Sequence, residues 1–163
     1  MIRQVNRWAL GLATSALAGA TGLSAHMPLQ PPGSARNTIQ ATLNVDSRTF
    51  AMAGSGNCSY SDAAHVEQAR GDMWSLYGQE KDRSVTLTLW RTASGAEHFR
   101  LRVTEAGRTH YVNTMGSGTE LRGNGRAVIE QRGKGGVFAV DATADTGVRI
   151  RGQLTCSWFT RSA

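Results

Sequence analysis

From Thr38 to Phe159 the chain contains no proline, and its apolar residues fall repeatedly on every second position. That pattern constrains the fold more than any other feature. A two-residue period sets one face of an extended strand against a core and leaves the other in water. Ile39, Ala41, Leu43 and Val45 alternate with Thr38, Gln40, Thr42 and Asn44. Val85, Leu87 and Leu89 alternate with Thr86, Thr88 and Trp90, as Phe99, Leu101 and Val103 do with His98, Arg100 and Arg102. Phe50, Met52 and Cys58 share a parity, and Gly54 and Gly56 between them leave that strand free to bend or bulge. Trp74 and Leu76 form one side of a strand over 73–77, whereas residues 61–71 read as a loop with local helix. Near the end, Phe138, Val140, Ala142 and Ala144 face Val148, Ile150, Leu154, Cys156 and Trp158 across a hairpin. The pattern predicts an all-β chain: an antiparallel β-sandwich or small barrel of about nine strands, with no fixed-period repeat.

The first residues carry a different signal. Arg3 and Arg7 precede an uncharged stretch from Trp8 to Leu23, which contains Ala18-Gly19-Ala20. This is the basic, apolar and small-residue order of a secretory signal peptide over 1–20, with a cut after Ala25 as the alternative. Leu17-Ala18-Gly19-Ala20 resembles a lipoprotein box with Ala20 where the lipidated cysteine would stand, so no lipid anchor is expected. Pro28, Pro31 and Pro32 mark 21–36 as a Pro-rich linker, and 37–163 is then a single β domain. No second long apolar run follows, so the mature chain is expected to lack a transmembrane segment and to be soluble in the periplasm or secreted.

Two cysteines, Cys58 and Cys156, allow one pairing, and an oxidising compartment favours it. The chain holds 18 Lys and Arg against 12 Asp and Glu; without Arg3 and Arg7 this is 16 against 12, a net +4. In an exported protein a basic surface meets anionic headgroups and acidic glycans, and nucleic acid is not expected as a partner.

Asp145-Thr146-Gly147 matches the aspartic-protease triplet, but it lacks the apolar frame and a second copy. Between two alternating runs it reads as a hairpin bend with glycine at positive φ. Ser55 and Ser117 lie between glycines outside any Gly-x-Ser-x-Gly, and His65, His98 and His110 stand apart. No phosphate-cradling, zinc or calcium motif is present, so no metal or cofactor is implied. Two basic glycine loops, Arg122-Gly123-Asn124-Gly125-Arg126 and Arg132-Gly133-Lys134-Gly135-Gly136, suit anions or simple turns. Arg100 with Arg102, and Arg149 with Arg151, project from the polar faces of two strands; were those strands neighbours, the four would form a flat anion-binding surface. Trp90 lies on a polar face beside Arg91 and is a contact candidate unless something covers it.

Two segments are familiar together: Thr42-Leu43-Asn44-Val45 through Phe50 and Gly54 to Cys58-Ser59, and Phe138-Ala139-Val140 followed by Gly147 to Ser157 with its Thr155-Cys156-Ser157 close. They resemble the mycobacterial 19 kDa lipoprotein antigen family. With Trp74 and Leu89-Trp90-Arg91 added, they also resemble small uncharacterised periplasmic proteins of Gram-negative bacteria. The resemblance implies a disulfide-linked β fold in the cell envelope and supplies no catalytic residue. The expected function is a non-enzymatic cell-envelope domain with a binding or interaction role, its partner an anionic envelope component or another envelope protein. The alternatives are an inhibitor of a secreted enzyme presenting 61–71 or 116–125, and a hydrolase whose site converges from His98, His110 and a Ser or Asp.

Overall fold

The computed structural model describes residues 37–66 and 69–162; the expected signal peptide over 1–20 and linker over 21–36 lie outside the described residues. The alternating runs become β1 (Asn37–Val45), β2 (Arg48–Val66), β3 (Ala69–Glu80), β4 (Arg83–Thr92), β5 (Glu97–Glu105) and β6 (Arg108–Asn113). Then follow β7 (Asn124–Arg132), β8 (Gly135–Thr143), β9 (Arg149–Cys156) and a two-residue β10 (Thr160–Arg161). The strands stand in the order β6-β5-β4-β3-β2-β1-β9-β8-β7, every neighbouring pair antiparallel, and curl into a nearly closed barrel. The first and last long strands are therefore paired, Ile39 opposite Cys156 and Val45 opposite Ile150. The inward parity of every strand supplies the core, with Ile39, Leu43, Phe50, Trp74, Leu76, Leu87, Phe99, Leu101, Phe138 and Leu154 all buried.

β2 is the corner of this barrel. Its upper half, Arg48–Gly56, pairs with β1, whereas its lower half pairs with β3 from Ser55 onward. The glycines sit where the strand changes partner: a Cβ at Gly56 would collide with the Tyr77 carbonyl and with Ile39, so only glycine lets β3 approach this closely. Each edge that β2 leaves is satisfied in another way. Above the corner, the Glu80 carboxylate accepts the Ala53 N–H at 3.1 Å and the Arg83 guanidinium donates to the Ala51 carbonyl at 2.8 Å. Below it, β10 pairs in parallel with Ser59 and Tyr60. Cys58 lies just past the corner and is bonded to Cys156 on β9, with Cα atoms 6.4 Å apart. The bridge thus joins the part of the wall that follows β3 to the part that follows β1.

Two local readings change. Residues 61–71 are not helical: β2 continues to Val66 and β3 begins at Ala69, with a bulge between Ser61 and Ala64. A helical segment of so few residues cannot offset its own nucleation, and cross-strand pairing wins. Trp158 does not continue the core face of β9, which ends at Cys156. The buried Asn37 accepts the Ser157 hydroxyl at 2.9 Å and the Trp158 N–H at 3.2 Å, which draws the chain off the ladder. Phe159 then packs edge-to-face on Phe138, with ring centroids 6.1 Å apart.

The disulfide closes a loop with a sequence separation of 98. Replacing both cysteines with alanine should lower the unfolding free energy by about 4 kcal/mol, since the unfolded chain regains that loop's freedom. Urea unfolding followed by tryptophan fluorescence measures it; a loss below about 1 kcal/mol would show that the corner holds without the bridge.

Candidate anion-binding surface

Eight antiparallel junctions separate β6 from β7 along the wall, so these two strands run in the same direction and cannot continue the antiparallel ladder. The barrel closes there through a seam. β6 ends level with the start of β7: Asn113 bridges Arg122, and the Asp145 N–H reaches the Tyr111 carbonyl at 3.2 Å. Where β6 has ended, Thr114 takes its place beside β5, its hydroxyl accepting the Phe99 N–H at 2.7 Å. Asn113, outward in parity yet buried, holds the crossing segment: its Oδ1 accepts the Met115 N–H at 3.1 Å and its Nδ2 donates to the Glu120 carbonyl at 2.7 Å.

The seam sets the arginines in relation to each other. β5 and β9 do not adjoin, so Arg100 and Arg102 do not form one flat surface with Arg149 and Arg151. The two pairs instead bound an arc across β5–β9, and further arginines lie between them. Arg100 stands opposite Asn113 and reaches its Oδ1 at 3.5 Å, with Arg122 bridging the same Asn113 from the far side. Arg126 on β7 and Arg151 on β9 both stand directly opposite Asp141 on β8. Asp141 is shared: Arg151 Nε donates to its Oδ1 at 2.9 Å, and Arg149 Nη2 lies 3.3 Å from the same oxygen. Arg102 and Arg126 have no ion-pair partner among the described residues. At the end of the arc, a hollow of about 400 Å³ opens between Arg149, Arg151, Asn44, Asp46 and Ser47.

Outward strand positions on β5–β9 hold six arginines (100, 102, 126, 132, 149 and 151) against Glu130 and Asp141, a net +4. Residues 37–162 as a whole hold fifteen Lys and Arg against twelve Asp and Glu, a net +3. All else in that segment therefore sums to −1. The outward parity of β1 to β4 is neutral, built from residues such as Thr42, Asn44, Ala51, Ser75, Tyr77 and Thr86. The charge is thus segregated to one side of the barrel wall.

The other sequence candidates fall elsewhere. Asp145-Thr146-Gly147 is the β8–β9 bend, with Gly147 at φ 83° and its N–H on the Ala144 carbonyl at 3.0 Å. Asp145 faces Arg122 at 3.7 Å. The Arg132–Gly136 loop is the β7–β8 turn, whereas Arg122–Arg126 leads from the seam into β7. His98 points outward, its Nδ1 3.0 Å from the Thr114 carbonyl, and His110 has inward parity, so the two imidazoles face opposite sides of the wall. Ser55 lies on outer β2, Ser117 precedes the 3-10 turn Gly118–Glu120, and His65 is exposed near the end of β2. Trp90 is not an exposed contact: it is 5 % exposed, stacked on His98 at 5.7 Å, and lies against Gly71, where a Cβ would come within 2.6 Å of its Nε1. Among the described residues no group of His, Cys, Asp and Glu has metal-binding geometry, and no helix is long and apolar enough to cross a membrane. Protein-family models, curated proteins and solved structures were compared with the chain, and none matches it.

The Asp141 carboxyl is held below the ordinary carboxylate range, first by the hydrogen bond from Arg151 and then by the charges of Arg149 and Arg151. A carboxyl so depressed stabilises the fold above its unfolded-chain value, and that contribution fades as pH falls through the folded value. Asp141→Asn should therefore lower the thermal midpoint slightly at pH 7, with the difference from the parent shrinking as pH falls below the ordinary carboxylate range. The same change removes a negative charge, raising the arc's net charge by one, and should strengthen retention on a sulfated matrix at low salt. Weaker retention would show that Asp141 organises the arginines instead of screening them.

Proposed function

We propose that the chain is an exported, non-enzymatic cell-envelope domain that holds an anionic envelope component, a phosphate-bearing lipid headgroup or an acidic glycan, against the β5–β9 arc. The observation that carries this reading is the segregation of charge: the arc's net +4 exceeds the +3 of residues 37–162 together. A solubility charge needs no such side. Guanidiniums suit the task because their planar forks match phosphate, sulfate and carboxylate oxygens in pairs. Export is supported by the Cys58–Cys156 bridge, which belongs to an oxidising compartment, and by the leader pattern over 1–20. The resemblance to the 19 kDa antigen family and to small periplasmic proteins points to the same compartment.

The oxidised domain should co-sediment with vesicles containing phosphatidylglycerol and not with pure phosphatidylcholine. Raising the salt from about 0.01 to 0.15 M should release most of it, because the screening length falls from about 30 to 8 Å. Replacing Arg102 and Arg126 with glutamine should weaken retention about ten-fold while leaving the thermal midpoint unchanged, since among the described residues neither side chain has an ion-pair partner to lose. A heparin column distinguishes glycan from lipid. Retention on neither support at low salt, or retention unchanged in the double variant, would overturn the reading.

A further inference from the structure

The lower mouth of the barrel, where β2 and β4 end and β3 and β5 begin, holds a second constellation independent of the arc. One step beyond the apolar layer, the inward parity changes from hydrophobic to polar. Tyr60 follows Cys58 on β2, Asp72 precedes Trp74 on β3, Arg91 follows Leu89 on β4, and Glu97 precedes Phe99 on β5. The register sets Asp72, Arg91 and Glu97 side by side in one row across three strands. Beneath this row Tyr60 lies against Trp74 with ring centroids 5.3 Å apart, and the Arg91 guanidinium sits 5.1 Å from the centroid of the same ring.

Internal pairing leaves one charge of each sign unspent. Arg91 donates Nε and Nη2 to Glu97 Oε1 at 3.0 and 2.7 Å, which leaves its Nη1 free. Asp62 is paired with Arg161. Among the described residues Asp72 accepts one hydrogen bond, from the Tyr60 hydroxyl at 3.0 Å, and has no ion-pair partner, its neighbour Arg91 being engaged by Glu97. The Tyr60 phenol is held above its ordinary range by burial first and by the hydrogen bond to Asp72 second, so it remains a donor and fixes that carboxylate. Arg70, one further step out on the inward parity of β3, is exposed and has no ion-pair partner among the described residues. Asp62, Arg70, Asp72, Arg91, Gly71 and Thr92 line a cavity of about 260 Å³.

We propose that this mouth binds a small zwitterion of amino-acid or dipeptide size, its ammonium on Asp72 and its carboxylate on Arg70 and the free Nη1 of Arg91. A simple anion would meet the carboxylates of Asp62 and Asp72, and a simple cation would meet two guanidiniums. A ligand carrying both charges relieves Asp72 and Arg70 together. The volume lies just below the ~300 Å³ at which pockets for drug-sized molecules begin, which suits one or two residues. The wall of the site is close-packed at Gly71, which is pressed against Trp90 and the Arg91 backbone.

Titration of the oxidised, 15N-labelled domain with alanyl-alanine tests this. Saturable shifts are expected at the Gly71 and Thr92 amides. N-acetyl-alanyl-alanine lacks the ammonium and alanyl-alanine amide lacks the carboxylate, and each should bind about ten-fold more weakly, as expected for one lost charged contact. Asp72→Asn, which keeps an acceptor for Tyr60, and the exposed Arg70→Gln should each weaken alanyl-alanine about ten-fold in domains whose spectra remain folded. Equal binding of the blocked peptides, preference for glucose, or no saturable shift at tens of millimolar peptide would overturn the proposal. Because Arg70 and Asp72 lie outside the arc, none of these results bears on vesicle binding.

Discussion

The barrel depends on the place where β2 leaves β1 for β3. Where the halves of a curled sheet cross at a steep angle, the corner is made by a strand that serves two neighbourhoods. β2 does so by crossing between them at Gly54 and Gly56, where side chains are excluded by the β3 carbonyls. Such a crossing interrupts the ladder on both edges, and an interrupted ladder exposes backbone groups. The Glu80 and Arg83 side chains above the crossing and β10 below it answer that cost. The Cys58–Cys156 bond then fixes the two parts of the wall at the same point, across the beginning of β1. The final residues are part of the same device, because Asn37 turns the chain after Cys156 toward the free edge of β2.

A second constraint follows from counting. With eight antiparallel junctions, the strands at the two ends of the sheet run in the same direction, and an antiparallel seam between β6 and β7 is impossible. The chain meets this by ending β6 early and carrying Thr114–Gly123 across under the control of Asn113. The seam brings β5 and β6 next to β7, β8 and β9, the strands that carry the outward arginines. Electrostatic segregation is thus a consequence of closure. Without the seam, β5 and β9 would be separated along the sheet by β4, β3, β2 and β1, and Arg100 and Arg102 would lie remote from Arg126, Arg149 and Arg151.

Much of the wall is legible in the linear pattern. The alternation of Ile39–Val45, Val85–Leu89 and Phe138–Ala144 assigns inward faces because a two-residue period has only one physical meaning in a half-buried strand. The cysteine pair is legible because only one pairing exists, and the Asp145–Gly147 bend because glycine at positive φ marks it. Strand order is not legible, since it depends on contacts distant in sequence, and the relation of Arg100 and Arg102 to Arg149 and Arg151 depends entirely on strand order. Trp90 shows the limit of parity: its outward position is correct, yet Gly71 and His98 enclose it. The mouth leaves a faint trace. Asp72, Arg91 and Glu97 each continue the core parity one step past an apolar residue, and three such charges on successive strands are a sign of a barrel rim.

The net positive charge of the outward strand positions lies on one arc of the wall, and under the proposed function this arc is where anions bind. Chemical-shift mapping of the oxidised, 15N-labelled domain with a short heparin oligosaccharide tests it most directly, read at backbone amides and arginine Nε–H groups. Fast, salt-sensitive shifts are expected at Arg100, Arg102, Arg126, Arg149 and Arg151, with the outward residues of β2 to β4 unmoved. Shifts centred on Thr42, Ala51 and Ser75, or spread evenly around the barrel, would contradict it.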